Sequence, residues 1–357
     1  MHISRIRLKN FRGYYSLSLD FSSGMNVFIG KNASGKTNLL EAIHYLSFAR
    51  SFRMVEDSEL IQNKASKAVI NAEVVSDEGK KTIDVLISEK GKKILVNDKG
   101  ISKLSSLNKI TNVIIFTPQD VNIFRDSPKN RRNYLDINIS KLNPMYAEAI
   151  SLVENLLKER NEILKQDEVD AKQIEIVTNE LIKAEKEVIV MRKEFVASLN
   201  KVISKVASAL KGGENKVKVI YFPYIKLTDD YLTKAKELYQ ENLDNDLKRK
   251  ATSIGVHRED FILTLNGKDI SVQGSQGENR LMAISLKLSP YFLVSDKSKH
   301  PIVALDDVMS ELDDIHQKKL ISFLRKLDQV FITSTKLTID HASIYEIDNH
   351  HAIRRTK

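Results

Sequence analysis

The sequence predicts an α/β protein with a mixed sheet built on a phosphate loop, an antiparallel β lobe and a helical second domain. Three observations carry that reading. Residues Gly30-Lys31-Asn32-Ala33-Ser34-Gly35-Lys36-Thr37 match the pattern G-x-x-x-x-G-K-[ST] without a mismatch. Pro301-Ile302-Val303-Ala304-Leu305-Asp306-Asp307 reads as a buried strand ending in two carboxylates, and Lys36 and Asp306 stand 270 positions apart. Between these ends, short alternating strands give way to two long runs of helical period.

The elements follow in order. Ile3, Ile6 and Leu8 open a first strand, Leu17, Leu19 and Phe21 alternate in a second, and Met25 to Ile29 is a short buried run. Leu39, Leu40, Ile43 and Leu46 then repeat with a helix period, giving the strand–loop–helix context a phosphate loop needs. Residues 68–76, 81–88 and 92–96 read as strands joined by tight turns, and Val113 to Phe116 as another buried strand. Pro144 suits the first turn of a helix running towards Lys165. A second helical run extends towards Leu210 and stops at Gly212-Gly213. Together they predict an antiparallel helical arm or the core of a helical subdomain, the first helix about 30 Å long.

After Val217–Phe222 (strand) and a helix near Tyr231–Lys250, a hairpin is expected around Asn266-Gly267. Gly277 to Leu293 reads as helix, and Ile302–Leu305, Gln329–Ile332 and Ser343–Ile347 as strands. A helix from Asp313 to Lys326 lies between the first two of these, and the tail from Arg354 is expected to fray. The division expected is 1–125, the N-terminal half of a nucleotide-binding head, 126–252, the helical domain, and 253–357, the C-terminal half of the head.

Composition excludes several classes. There is no cysteine, hence no disulfide, thiolate nucleophile or cysteine metal site. The N-terminus alternates like a strand and lacks the apolar core of a signal peptide. No apolar run approaches the roughly 20 residues of a membrane helix. A cytoplasmic protein without membrane partners is expected. The net charge is +9, and its distribution matters more than its size. Lys141 to Lys205 carries 11 basic and 12 acidic residues, whereas Gly79 to Lys109 carries 8 lysines against 3 acids. Lys80, Lys81, Lys90, Lys92 and Lys93 therefore form either a solvated sheet face or a contact to nucleic-acid phosphates.

The motifs define a chemistry. Backbone N–H groups of the loop and the helix start behind it attract phosphate oxygens. Lys36 reaches for the β- and γ-phosphates, and the Thr37 hydroxyl for Mg²⁺. Asp306 is expected to hold Mg²⁺, and Asp307 to polarise the attacking water. Two carboxylates at the end of an apolar strand are costly unless a cation or a water network receives them. Ser275-Gln276-Gly277-Glu278 follows a hairpin and opens a helix, so Ser275 and the N–H groups after it, Gly277 included, make a second anion site.

At its position ahead of the Asp306 strand, that tetrapeptide matches the signature motif of ABC-type ATPases. Further matches are Asn10-Phe11-Arg12-Gly13-Tyr14, Phe116-Thr117-Pro118-Gln119-Asp120 and Arg131-Arg132-Asn133-Tyr134-Leu135-Asp136. Gly255-Val256-His257-Arg258-Glu259-Asp260 and Leu305-Asp306-Asp307-Val308-Met309-Ser310-Glu311-Leu312-Asp313 complete the set. Along essentially its whole length the chain resembles the RecF family of compact, SMC-like bacterial repair ATPases. The resemblance implies an ABC-type head, ATP and Mg²⁺ as cofactors, and slow hydrolysis. It also implies an ATP-dependent homodimer on duplex or gapped DNA, without base-sequence preference. Work with RecO and RecR in loading RecA at single-stranded gaps, near the nucleoid, belongs to the same expectation. It places Arg12 and Asn38 with the loop at the nucleotide, and Gln119 in a Q-loop beside the metal and the attacking water. Gln119, Val256 and Glu278 depart from the residues usual in the family. Asp307 stands where transporters use the longer Glu, and the strand after Asp306 ends in Thr333-Ser334-Thr335, so any γ-phosphate sensor there is a hydroxyl.

Alternatives stay open at some positions. Arg12 suits a surface as well as a nucleotide. His257 and Arg258 suit a structural role or catalysis, and the Arg131-Arg132 pair suits DNA or a helix end. A transporter ATPase subunit uses the same motifs, though set closer together. A small-molecule kinase leaves Ser275 and the segment after Asp307 without a task, and the short arm sets aside a chromosome-organising SMC subunit unless its arms come from another chain.

Overall fold

The structure is a computed structural model and describes residues 1–101, 104–336 and 339–355. The chain begins with the hairpin β1 (His2–Phe11) and β2 (Tyr14–Asp20), then β3 (Met25–Ile29), the phosphate loop and α1 (Lys36–Phe48). β4 (Lys67–Ser76), β5 (Gly79–Ser88), β6 (Gly91–Val96) and β7 (Lys99–Gly100) make a meander, followed by β8 (Val113–Phe116). Next come α2 (Pro128–Leu142), α3 (Pro144–Leu164) and α4 (Ala171–Lys211). β9 (Val217–Phe222), α5 (Tyr231–Glu241), α6 (Leu243–Arg249), β10 (Asp260–Leu265), β11 (Lys268–Asp269), α7 (Ile270–Gln273) and α8 (Gln276–Leu288) follow. β12 (Ile302–Leu305), α9 (Asp314–Leu324), β13 (Val330–Ser334), β14 (Ser343–Asp348) and β15 (His351–Arg354) end it.

Two compact units result. The first gathers residues 1–121, 205–214 and 280–357. It holds an antiparallel sheet, β2-β1-β4-β5-β6-β7, and a mixed sheet, β15-β14-β3-β13-β12-β8. In β1 and β4 the alternate residues Ile6, Leu8, Ile70 and Ala72 are buried, as the period-two pattern requires. They share one apolar cluster with Leu39, Leu40, Ile43 and Leu46 of α1 and with Ile302 and Phe331 of the mixed sheet. The buried Gln329 side chain joins the two sheets, accepting from Ile3 N at 2.8 Å and donating to Ile3 O at 2.8 Å.

Some elements differ from expectation. The helix expected to Leu293 is α-helical only to Leu288 and continues as a 3₁₀ turn, because Pro290 has no N–H to extend the helix ladder. The run at 231–250 is two helices meeting at Asn242. The tail is not frayed at Arg354 and Arg355. Arg354 pairs with Tyr345 in β15, and Arg355 N donates to Ile344 O at 2.9 Å. Thr356 and Lys357 lie outside the described residues.

The second unit comprises residues 122–204 and 215–279. Residues 253–279, expected with the C-terminal half of the head, group here because β10 pairs with β9 over six residues, from Asp260↔Phe222 to Leu265↔Val217. Asn143 caps α3, its side chain accepting from Met145 N, with Pro144 at the first helical position. Ile163 and Leu164 pack against Ile174 and Val177 across the turn into α4, which makes the arm antiparallel. At 41 residues α4 is about 60 Å long.

This unit buries charges, each with a partner, as desolvation demands. Arg160 donates to Asp246 at 2.8 Å and to Thr252 at 2.7 Å. Arg192 donates to Glu259 at 2.7 Å and to the Val256 carbonyl at 2.9 Å. Glu185 accepts from the Tyr224 hydroxyl at 2.7 Å, both Glu185 oxygens from Tyr239 at 3.1 Å, and one from Val256 N at 3.0 Å. Burial pushes the Glu185 carboxyl up from 4.5 to about 7, against these hydrogen bonds. A carboxyl raised in the folded state weakens folding only while ionised. Stability is thus unaffected below pH 4.5, falls as pH rises towards 7, and is level above. Glu185→Gln should flatten that fall. Urea midpoints between pH 4.5 and 8 check it, and an unchanged slope would refute it.

Candidate nucleotide-binding site

Parallel pairing brings the distant motifs to one edge. β3 pairs with β13, β13 with β12, and β12 with β8, all parallel. Ser334 is level with Ile29, and Leu305 with both Ile332 and Phe116. The phosphate loop, Asp306-Asp307, the end of β13 and the segment carrying Gln119 therefore all leave the sheet at the carboxyl ends of parallel strands. That is where α/β sheets hold ligands.

The loop is folded for phosphate. Gly35 has φ 112°, a left-handed conformation that side chains disfavour, and it turns the chain into α1. The 13-residue α1 begins at Lys36 and directs its free N–H groups and dipole into the loop. The buried Lys36 ammonium donates to Gly30 O at 2.8 Å and to Lys31 O at 2.7 Å. Burial lowers its pKa, and the charges of Asp307 and Asp306 oppose that shift.

Hydroxyls set the Asp306 carboxylate and the Asp307 backbone. Thr37 Oγ1 donates to Asp306 Oδ1 at 2.9 Å, and Thr333 Oγ1 donates to the same oxygen at 2.8 Å. Thr333 also accepts the Asp307 N–H at 2.8 Å. Burial raises the Asp306 pKa, and the hydrogen bonds from Thr333 and Thr37 pull it back. Asp307 stands at φ 48°, a strained position for a residue with a side chain. Its Oδ1 is buried with no hydrogen-bond partner among the described residues.

The other expected residues fall variously. Arg12 is at the β1–β2 turn and forks onto the fully buried Glu41 of α1 at 2.8 and 2.7 Å, a role foreseen neither as surface nor as nucleotide contact. Asn38 accepts from Arg53 at 3.3 Å. Gln119 is exposed on the turn after β8, whose next residue, Asp120, pairs with Lys287 at 2.7 Å. Ser275, Gln276 and Gly277 are exposed at the start of α8 in the second unit. Ser275 Oγ accepts from Glu278 N at 3.2 Å while the Glu278 carboxylate accepts from Ser275 N at 3.1 Å, a capping box.

Thr335 is exposed, while the Thr333 hydroxyl is committed to the Asp306 carboxylate and the Asp307 backbone N–H, so it orients Asp306 directly and Asp307 through its main chain. Sequence reasoning also missed Arg53, whose charge lowers the Asp306 pKa, and Glu41. No motif marks either.

Several basic residues are structural. Lys80 pairs with Glu73 at 2.6 Å, Lys81 with Glu78 at 2.7 Å and Lys92 with Asp57 at 2.9 Å. Lys90 and Lys93 are exposed without a carboxylate partner among the described residues. Arg131 forks onto Asp260 at 2.6 and 2.8 Å, and Arg132 donates to Glu259 O at 2.7 Å. His257 lies 3.1 Å from Thr252 O, and burial lowers its pKa to about 4.

Residues 2–352 match the family described as RecF/RecN/SMC N terminal domain. The DNA replication and repair protein RecF of Halalkalibacterium halodurans is 35% identical over 363 residues, covering 98% of each chain. The chain belongs to the RecF family. A solved structure of the recombination mediator protein RecF with ATP, in the RecFOR pathway, superposes with a TM-score of 0.90 at 31% identity. It covers 99% of this chain and 98% of the other. An Smc head bound to the C-winged helix domain of ScpA shares the fold alone, with a TM-score of 0.59, 15% identity and coverage of 99% and 98%. The RecF fold here is thus an ABC-type ATPase head of the SMC kind. The chain is an ATP-binding, SMC-like ATPase of recombinational repair, and the transporter reading is not favoured. Among the described residues no helix is long and apolar enough to cross a membrane.

Thr333→Val should lower ATP turnover about 10- to 100-fold, as loss of an orienting partner does. Thr333→Ser should restore most of it. Steady-state hydrolysis checks both, and a fully active Val variant would remove Thr333 from the site.

Proposed function

We propose that this RecF-family chain binds ATP with Mg²⁺ and closes as a homodimer on DNA, hydrolysing ATP slowly. The observation that carries the reading is the 2.9 Å contact between Thr37 and Asp306, made across 269 residues beside the Lys36 ammonium. Lys36 and the loop amides from Lys31 to Thr37 receive the phosphates, and Asn38 and Arg12 brace the loop from α1 and the β1–β2 turn.

The donor set fits magnesium. It is a hard cation that takes oxygen ligands, and Thr37 Oγ1, Asp306 and the Gln119 amide oxygen supply them. The unpartnered buried Asp307 Oδ1 marks the place where a water or cation completes the polar set. When bound, Mg²⁺ neutralises charge on the β- and γ-phosphates. Asp307, held at its backbone by Thr333, orients the attacking water and receives its proton. The aspartate is one methylene shorter than glutamate and sets that water differently, in keeping with slow turnover.

Ser275 and Gly277 sit exposed at a helix start, where N–H groups face outward. We assign them to the γ-phosphate held by a second copy, so that ATP joins the dimer. The partners that follow are RecR, with RecO and RecA in the loading of single-stranded gaps, in the nucleoid-bearing cytoplasm. Contacts to DNA are to phosphates, so affinity should fall steeply with salt.

Lys36→Ala should weaken ATP binding about 10- to 100-fold, the worth of a charged hydrogen-bonding group. Ser275→Ala should leave binding to one subunit intact yet reduce ATP-dependent dimerisation about tenfold. Calorimetry and light scattering separate the two effects. Equal loss of both in the Ser275 variant contradicts a shared site.

A further inference from the structure

The hairpin of β14 and β15 turns on two residues, Asn349 and His350, with φ 44° and 63°. A two-residue turn with positive φ at both positions favours Asn-Gly, because glycine alone takes the second position freely. Histidine there is strained, and strained residues persist where their surroundings over-determine them.

The surroundings of His350 are the phosphate loop. Its N–H donates to Ser34 O at 2.9 Å. Its ring stands edge-on to Tyr14, centroids 5.2 Å apart at 89°. The Tyr14 hydroxyl in turn donates to Gly35 O at 3.0 Å. The ring fills space that two glycines leave open. A Cβ on Gly13 falls 2.0 Å from His350 Nε2, and one on Gly35 falls 2.7 Å from His350 Cδ2. Gly35 is the left-handed residue immediately before Lys36. A side chain in an unfavourable turn position is thus wedged against the residue whose conformation aims the loop amides.

We propose that His350 is a positioning residue for nucleotide binding, a wedge from the C-terminal hairpin that holds Gly35 and the loop in their phosphate-binding form. The inference rests on the ATP-binding reading above and extends it to a part of the chain outside every nucleotide motif. The ring acts by shape. It packs against Tyr14 and fills the space beside Gly13 and Gly35, while the backbone N–H of His350, which every variant below keeps, holds Ser34 O.

The test uses the full chain and calorimetric titration with ATP and Mg²⁺, beside thermal unfolding without nucleotide. His350→Gly and His350→Asn both tolerate positive φ, so they relax the turn while removing the ring. Both should remain folded with an unfolding temperature near that of the wild type, and both should raise the ATP dissociation constant about tenfold. His350→Phe keeps the ring and should stay within about twofold of the wild type. Unchanged affinity in the Gly and Asn variants overturns the proposal. So does loss of affinity in the Phe variant equal to theirs, which would assign the effect to the ring nitrogens. Failure of both relaxed variants to fold would make His350 a residue of the fold and overturn it as well. If the wild type itself binds no better than Lys36→Ala, the nucleotide reading fails instead.

Discussion

One Asp306 oxygen receives two hydroxyl hydrogens, from Thr37 at 2.9 Å and from Thr333 at 2.8 Å. Much of the first unit serves that meeting. A carboxylate buried at the end of an apolar strand is expensive to leave unsatisfied. Its donors must come from the neighbouring strand and from the helix after the loop, and only a parallel order β3-β13-β12 places both at the same edge. The chain leaves this sheet after β3, returns to its edge at β8, and leaves again before β12. The 270 positions from Lys36 to Asp306 thus hold the meander, β8 and the second unit.

What the sequence disclosed follows from how locally each signal is encoded. The phosphate loop, the β1–β6 strands, the arm and β12 were legible because period-two and period-3.6 patterns and turn residues act over a few positions. Asp306 and Thr37 were legible as a pair because their chemistry has one joint use. The Arg12–Glu41 fork was not, since neither residue reveals its partner and an acid within α1 reads locally as a surface position. Thr333 was recognised only as a hydroxyl near the phosphate; its two bonds to Asp306 and Asp307 depend on the register of β12 with β13. The last hairpin was missed because four residues of β15 lack an apolar alternation, and its basic tail resembles a loose end. It is ordered by pairing with β14, a neighbour no local pattern announces.

The second unit follows a different logic. Its buried Arg160, Arg192, Glu185 and Glu259 form hydrogen bonds that an apolar core would not need. Replacing such networks by well-packed apolar residues is often neutral for stability, so stability is a poor explanation for them. The bonds of Glu185, Arg192 and Glu259 converge on one turn. Val256 gives its N–H to Glu185 and its carbonyl to Arg192, Glu259 is held by Arg192, and Asp260 is held by Arg131. Directional bonds of this kind specify a backbone path more sharply than dispersion contacts do. The Gly255–Asp260 segment, where the family resemblance is dense, is fixed by them, and it leads straight into the strand that precedes the Ser275 helix start.

The first unit applies strain to the same end. Arg12 at φ 50°, Asp307 at 48° and His350 at 63° are all left-handed without being glycine. Each has its N–H tied to an acceptor outside its own turn: Leu60 O for Arg12, Thr333 Oγ1 for Asp307 and Ser34 O for His350. An isolated left-handed residue relaxes if its neighbours allow it, whereas one whose amide is pinned does not. His350 borders the phosphate loop and Asp307 is one of the two carboxylates, while Arg12 is tied to Glu41 of the helix that follows the loop. Their positions are set by the fold itself, and a site that used them would not spend binding energy on arranging them. A site assembled from opposite ends of a chain has no short loop to hold it in shape. Pinned, strained turns at its rim supply that rigidity.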